Sequence, residues 1–110
     1  MGMTREYSAV EPAREHIDAM EGPALIEFGT GWCGYCRSAQ PMLASAMAAH
    51  PAVQHIKIED GPGRPLGRSF RVKLWPTLIF MQNGKEVARL VRPDSEAEIG
   101  EALARIDGAS

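Results

Sequence analysis

Cysteine is nearly absent, with two residues in a chain of 110. That excludes a fold stapled by a disulfide framework. No apolar run approaches the ~20 residues that a membrane-crossing helix needs. The formal net charge is only −2, so no imbalance points to nucleic acid or an anionic membrane surface as a partner. There are no repeats, linkers or low-complexity stretches. Met1 to Glu15 mixes both charges and has no apolar core, so no secretory signal is expected there. The expected location is the cytoplasm, or the periplasm if the chain begins inside a longer precursor. A zinc or iron–sulfur centre needs more ligands than the chain supplies. There is no second Cys pair, and His16, His50 and His55 lack ligand spacing. Only a cluster shared between two chains would remain, and no metal or bound cofactor is expected. What is left is 45% apolar and 24% charged, the balance of one self-sufficient domain over residues 1–110, with 1–7 irregular. A monomer is expected.

What is there is concentrated in one run, Trp32-Cys33-Gly34-Tyr35-Cys36, which holds both cysteines. Two thiols at this spacing, at the start of a helix, can form and break a disulfide without moving the rest of the fold. One attacks a partner's disulfide, and the other attacks the mixed disulfide and releases the product. Cys33, at the helix N-terminus, faces unsatisfied N–H groups and the positive end of the helix dipole, which makes it the expected nucleophile. Cys36 lies nearly a turn deeper and is the expected resolving thiol. Two ordinary buried cysteines are the alternative, disfavoured by the spacing.

Patterning around that run predicts alternating helices and strands. Ser8 to Glu21 reads as a first helix. Ser8 and Glu11 form its capping box, Val10, Ala13, Ile17 and Met20 its apolar stripe, and Gly22-Pro23 its stop. Residues 24–29 read as a central strand, apolar apart from Glu27. A second helix starts near Cys33, carries Cys36, Gln40, Leu43, Met47 and His50 along one stripe, kinks at Pro41 and closes at Pro51. Val53 to Ile58 alternates and reads as a strand parallel to the first. A Gly/Pro-rich loop over 59–65 and a short helix over 66–72 follow. Thr77 to Met81 and Glu86 to Val91 flank Asn83-Gly84, a hairpin signal. Ser95 and Glu98 cap a last helix with Ile99, Ala102, Leu103 and Ile106 on its apolar face.

This order, with Cys-x-x-Cys between the first strand and second helix, resembles the thioredoxin family from about Ile26 to Ile106. Trp32 precedes the first Cys as it does in thioredoxin. Pro41 stands where the family has its helix-kinking proline, Trp75-Pro76-Thr77 at its cis-proline loop, and Asn83-Gly84 at its hairpin turn. The resemblance implies an α/β thioredoxin fold. Its mixed sheet would have about four strands, two parallel plus a C-terminal antiparallel hairpin, flanked by helices. There are departures. Thioredoxins carry Gly-Pro between the cysteines. Gly34-Tyr35 looks like the pair of bacterial periplasmic disulfide isomerases. The residue before the cis-proline is Trp75, where thioredoxins usually carry a small or aliphatic one. The family's buried Asp and its Lys partner align with Glu27 and His55, and the outermost N-terminal strand is not evident.

The resemblance implies a thiol–disulfide oxidoreductase that reduces disulfides of protein or peptide substrates, recharged by a reductase or a small thiol, with no cofactor beyond the Cys33–Cys36 pair. An isomerase- or oxidase-like activity and a non-catalytic redox-sensing module are the alternatives. Trp32, Gly34, Tyr35, Trp75, Pro76 and Thr77 form the expected substrate-binding surface. Aromatic rings around a dithiol favour a protein or peptide partner, and the backbone before Pro76 can pair with an extended substrate. Core packing of the loop is the plainer reading of Trp75. Glu27 is expected to be a buried carboxyl whose pKa burial raises toward neutrality, poised to take the Cys36 proton. A strand-end Glu in a surface pair is the plainer reading. His55 is a candidate partner for it.

Overall fold

The computed structural model of the chain describes Thr4 and residues 6–108. The irregular start expected over 1–7 therefore falls partly outside the described residues. Eight elements follow in order: α1 (Arg14–Asp18), β1 (Pro23–Gly29), α2 (Gly34–Ala48), β2 (Gln54–Glu59), α3 (Pro65–Ser69), β3 (Thr77–Gln82), β4 (Lys85–Val91) and α4 (Glu96–Ile106). The strands form one sheet in the order β2-β1-β3-β4, with β1 parallel to β2 and antiparallel to β3, and β3 antiparallel to β4. This is the expected α/β arrangement of one parallel pair and a hairpin.

Side chains alternate across β1, and the two sets go to different cores. Leu25 faces α2 and α4, in a core with Leu43, Met47, Leu78, Phe80, Ile99 and Leu103. Ala24, Ile26 and Phe28 face the other way, packing with Ile17, Leu66, Phe70 and Ile79. The sheet is covered on both faces, which is why its central strands read as nearly continuous apolar runs. By the same alternation Glu27 and Gly29 lie on the face toward α2, and that puts a carboxylate beneath the thiols.

The first helix departs from expectation. It spans only Arg14–Asp18, with Ala13 as its N-cap. Ser8 does not cap it. The Ser8 amide donates to the Lys57 carbonyl at 2.9 Å and the Ser8 carbonyl accepts from the Glu59 amide at 2.9 Å, a single parallel bridge to β2. Glu11 Oε1 instead accepts the Leu66 amide at 2.8 Å, at the start of α3. Val10 is exposed. Long-range backbone pairing has displaced the local capping box, and the bridge at Ser8 stands where the family's outer strand seemed missing.

Two further helix signals hold, and the short helix α3 ends at Ser69, three residues before the expected 72. Ser95 accepts the Glu98 amide as the N-cap of α4, and Pro41 lies inside α2. At the hairpin tip Gly84 has φ 78°, and a Cβ there would sit 1.9 Å from the Asp18 carbonyl oxygen. Only glycine fits this turn.

Leu43, fully buried between α2 and the sheet, sets the scale of the core. Leu43→Ala should destabilise the fold by about 2–5 kcal/mol, read as a lower urea midpoint at unchanged slope. Val10→Ala, at an exposed site, should leave the midpoint nearly where it was. Equal effects would place the core elsewhere.

Candidate active site

Cys33 is the N-cap of α2, in extended backbone conformation. Its sulfur accepts the Cys36 amide at 3.3 Å, and its S–H points to the Trp75 carbonyl at 3.9 Å. An N-terminal helix amide is unsatisfied by the helix itself, so sulfur occupies a position that favours negative charge. Both thiols are free. Cys33 keeps 8% of its surface and Cys36 only 1%, an order that matches attacking and resolving roles. Burial pushes the Cys36 thiol up to about 12, and its contact with Cys33 adds to that.

The rim is aromatic and is set by the loop before β3. The Trp75–Pro76 peptide is cis. Trp32 and Trp75 meet edge to face, with ring centroids 5.7 Å apart. Trp32 is 74% exposed and Tyr35 58%, so both rings are available to a partner. Trp75 is held from behind, its indole N–H donating to Asp60 Oδ2 at 2.8 Å. Thr77 is buried, its hydroxyl donating to the Leu74 carbonyl. Thr77 therefore shapes the loop from below rather than presenting a side chain. Arg92 was not singled out from the sequence. Its Nε donates to the Trp75 carbonyl at 2.9 Å, and its guanidinium lies 3.9 Å from the Tyr35 ring centroid. It ties both sides of the rim together, from a backbone position with φ 50°.

Beneath the thiols, Glu27 is fully buried. His55 Nε2 lies 2.8 Å from its Oε1. The Thr4 amide donates to His55 Nδ1 at 3.0 Å, which leaves Nε2 as the ring N–H that donates to Glu27. Glu27 Oε2 accepts from the Tyr7 hydroxyl at 2.5 Å and from Gln40 Nε2 at 3.0 Å. The Lys57 ammonium stands 3.9 Å from the carboxylate and donates to Gln40 Oε1 at 2.8 Å. The surface-pair reading of Glu27 is excluded, and His55 is its partner. The expectation of a pKa poised near neutrality is corrected. Burial pushes the Glu27 carboxyl up, but the His55 hydrogen bond, the Lys57 charge and the Tyr7 hydroxyl outweigh it and hold it below its ordinary value. Glu27 is an ionised, fully partnered carboxylate.

Tyr7 and Lys57 escaped the sequence reading. Lys57 left a trace, since it alternates on the same face of β2 as His55. Tyr7 left none, because it lies in irregular chain. Among the described residues, no three His, Cys, Asp or Glu side chains converge where a metal ion could sit.

A carboxyl held below its ordinary value lends stability that is complete above the unfolded value of about 4.5 and is lost as pH falls through the lower folded value. Wild type should therefore lose stability in this acid range more steeply than Glu27→Gln, as urea titrations at neutral and acid pH would read. Parallel losses would remove Glu27 as the source.

Comparison with known proteins agrees with this geometry. The sequence model of the family described as Thioredoxin matches residues 8–105. Thioredoxin H-type 1 of Nicotiana tabacum is 32% identical over 72 residues, covering 66% of this chain and 57% of that protein. The chain thus spans little more than half of that relative. The thioredoxin of Chlamydia trachomatis is 39% identical over 71 residues, 64% of this chain and 69% of its own. The reduced structure of thioredoxin 2 from Pseudomonas aeruginosa PAO1 superposes with a TM-score of 0.86 at 54% identity, covering 98% of this chain and 100% of that one. Sequence and architecture converge along nearly the whole length, and the chain belongs to the thioredoxin family.

Proposed function

We propose that the protein is a thiol–disulfide oxidoreductase that reduces disulfides in protein substrates. The observation that carries this reading is the Cys33 sulfur at the N-cap of α2, held by the Cys36 amide beside the Trp75 carbonyl. The Cys33 thiolate attacks one substrate sulfur. A Cys33–substrate disulfide forms, and the other substrate sulfur leaves as a thiolate that takes a proton from water. Cys36 then attacks the Cys33 sulfur. The Cys33–Cys36 disulfide forms and the second substrate thiol is released. Two electrons pass from the dithiol to the substrate.

The Trp32, Tyr35 and Trp75 rings supply an apolar landing surface, and the loop before Pro76 offers backbone to an extended substrate segment. Gly34 adds no side chain between the thiols, and beyond its chain neighbours and the backbone of its own helix no heavy atom lies within 4 Å of a Cβ built there, so that side of the groove stays open. The pair needs no cofactor, only an external dithiol or reductase to reset it. A reducing compartment such as the cytoplasm keeps it in the dithiol form. Direction is set by potential, since ~30 mV corresponds to about 1.4 kcal/mol for a two-electron couple.

Insulin disulfide reduction with dithiothreitol as electron source tests this reading. Wild type should accelerate precipitation of the insulin B chain, and Cys33→Ser should not. Cys36→Ser should accumulate mixed disulfides with protein substrates, which mass mapping would place on Cys33. Reduction that survives Cys33→Ser, or trapping on Cys36 in place of Cys33, would overturn the assignment.

A further inference from the structure

We propose that Tyr7 is the proton conduit of the resolving step, its hydroxyl accepting the Cys36 thiol proton while donating its own to Glu27. This rests on the disulfide-exchange reading above and adds a catalytic residue to it.

The hydroxyl occupies the space between donor and acceptor. It donates to Glu27 Oε2 at 2.5 Å, which leaves its oxygen lone pairs to accept. On its other side is Cys36. A Cβ at Gly29 would sit 2.6 Å from the Cys36 sulfur and 2.7 Å from the Tyr7 oxygen. Glycine at this position leaves the gap across which those two atoms face each other. Glu27 receives its described hydrogen bonds from His55, Gln40 and Tyr7. Of these three partners, Tyr7 is the one whose bonding atom also faces the Cys36 sulfur across the Gly29 position.

The ring is held in place. Ser8, the next residue, is bridged to β2, and the Lys57 ammonium lies 4.3 Å from the Tyr7 ring centroid. Burial first, and then the Glu27 charge, hold the Tyr7 hydroxyl well above its ordinary value. Free tyrosinate is therefore not a resting species, and the two proton movements must be concerted. The Thr30 backbone and then the Tyr7 hydroxyl pull the Cys36 thiol down, against burial and Cys33, which leave it raised. When Cys33 is tied up in a mixed disulfide, its contact no longer raises the Cys36 thiol, which becomes easier to ionise at the moment it must attack.

The step balances. The Cys36 proton moves to the Tyr7 oxygen as the Tyr7 proton moves to Glu27. The Cys36 thiolate forms a bond to the Cys33 sulfur, the Cys33–substrate bond breaks, and the substrate leaves as a thiolate that takes a proton from water. Glu27 then returns its proton through Tyr7 to solvent in the adjoining cleft of about 330 Å³, which Tyr7, Cys36, Gln40 and Lys57 help line.

Reaction with the aromatic disulfide 5,5′-dithiobis(2-nitrobenzoate) separates the two steps. The first coloured thiolate is released by Cys33 and the second by Cys36. Tyr7→Phe keeps the ring over Lys57 and removes only the hydroxyl. It should leave the first phase within about twofold and slow the second by roughly 10²-fold, within the range of general acid–base effects. The pH midpoint of the second phase should move up, because the Cys36 thiolate loses the hydroxyl that donates to it once the protons have moved. The charged and titratable groups facing that pair are Glu27 on β1, His55 and Lys57 on β2, Cys33 and Arg37 beside Cys36, and Glu6 on the N-terminal segment. Glu27→Gln should slow the same phase, and the double variant should be no slower than the slower single one. An unchanged second phase, equal slowing of both phases, or additive effects in the double variant would overturn the proposal. Absence of any first phase in wild type would instead sink the oxidoreductase reading.

Discussion

A carboxylate with no solvent exposure lies directly under the thiols, and the surrounding structure is arranged to keep it charged. Removing an ion from water costs several kcal/mol even after the protein relaxes. Hydrogen bonds to charged groups return about 1.5–3 kcal/mol each, and Glu27 has three, with Lys57 adding a counter-charge. The partners come from three places: the N-terminal segment, α2 and β2. Satisfying Glu27 therefore requires the parallel β1–β2 pairing, the inward face of α2 and the Ser8 bridge together. The same demand explains why a segment with little regular structure stays pinned beside β2.

The chemistry is layered above this constraint. Gln40 reaches Glu27 with its amide and also donates to the Cys36 carbonyl at 2.7 Å, so the buried charge is tied mechanically to the helix that carries both thiols. Cys33 stands at the outer end of that helix, under fixed dipoles, whereas Cys36 points into the buried network. The asymmetry between the two sulfurs follows from their depth along a single turn. The less buried sulfur lies toward the rim, and the more buried one toward the Glu27 network. The aromatic rim is independent of the network. It hangs on Trp75, which Asp60, Arg92 and Trp32 hold from three sides.

Much was legible in the sequence, and for a common reason. Cys33 and Cys36, Pro41 within α2, the Asn83-Gly84 turn and the Ser95 cap of α4 all act over a few residues, where backbone geometry and side-chain chemistry decide without help. Strand alternation likewise marked Val53 to Ile58 as a strand parallel to β1. The misreadings arose where a local preference competed with a distant partner. Ser8 and Glu11 have the spacing of a capping box, but β2 takes the backbone of Ser8 and the start of α3 takes the carboxylate of Glu11. Glu27 illustrates the same point for charge. Burial alone argues for a raised pKa, and three partners from elsewhere in the chain reverse the sign.

The sequence by itself determined the order of elements, the thiol pair and its orientation at a helix start, because these depend on neighbours within a turn. Tertiary structure alone decided that Tyr7, His55, Lys57 and Gln40 would meet around one carboxylate, and that Arg92 would close the rim over Tyr35. These contacts join residues far apart in the chain. No periodicity records them, since each depends on sheet register and on how the N-terminal segment lies against its edge.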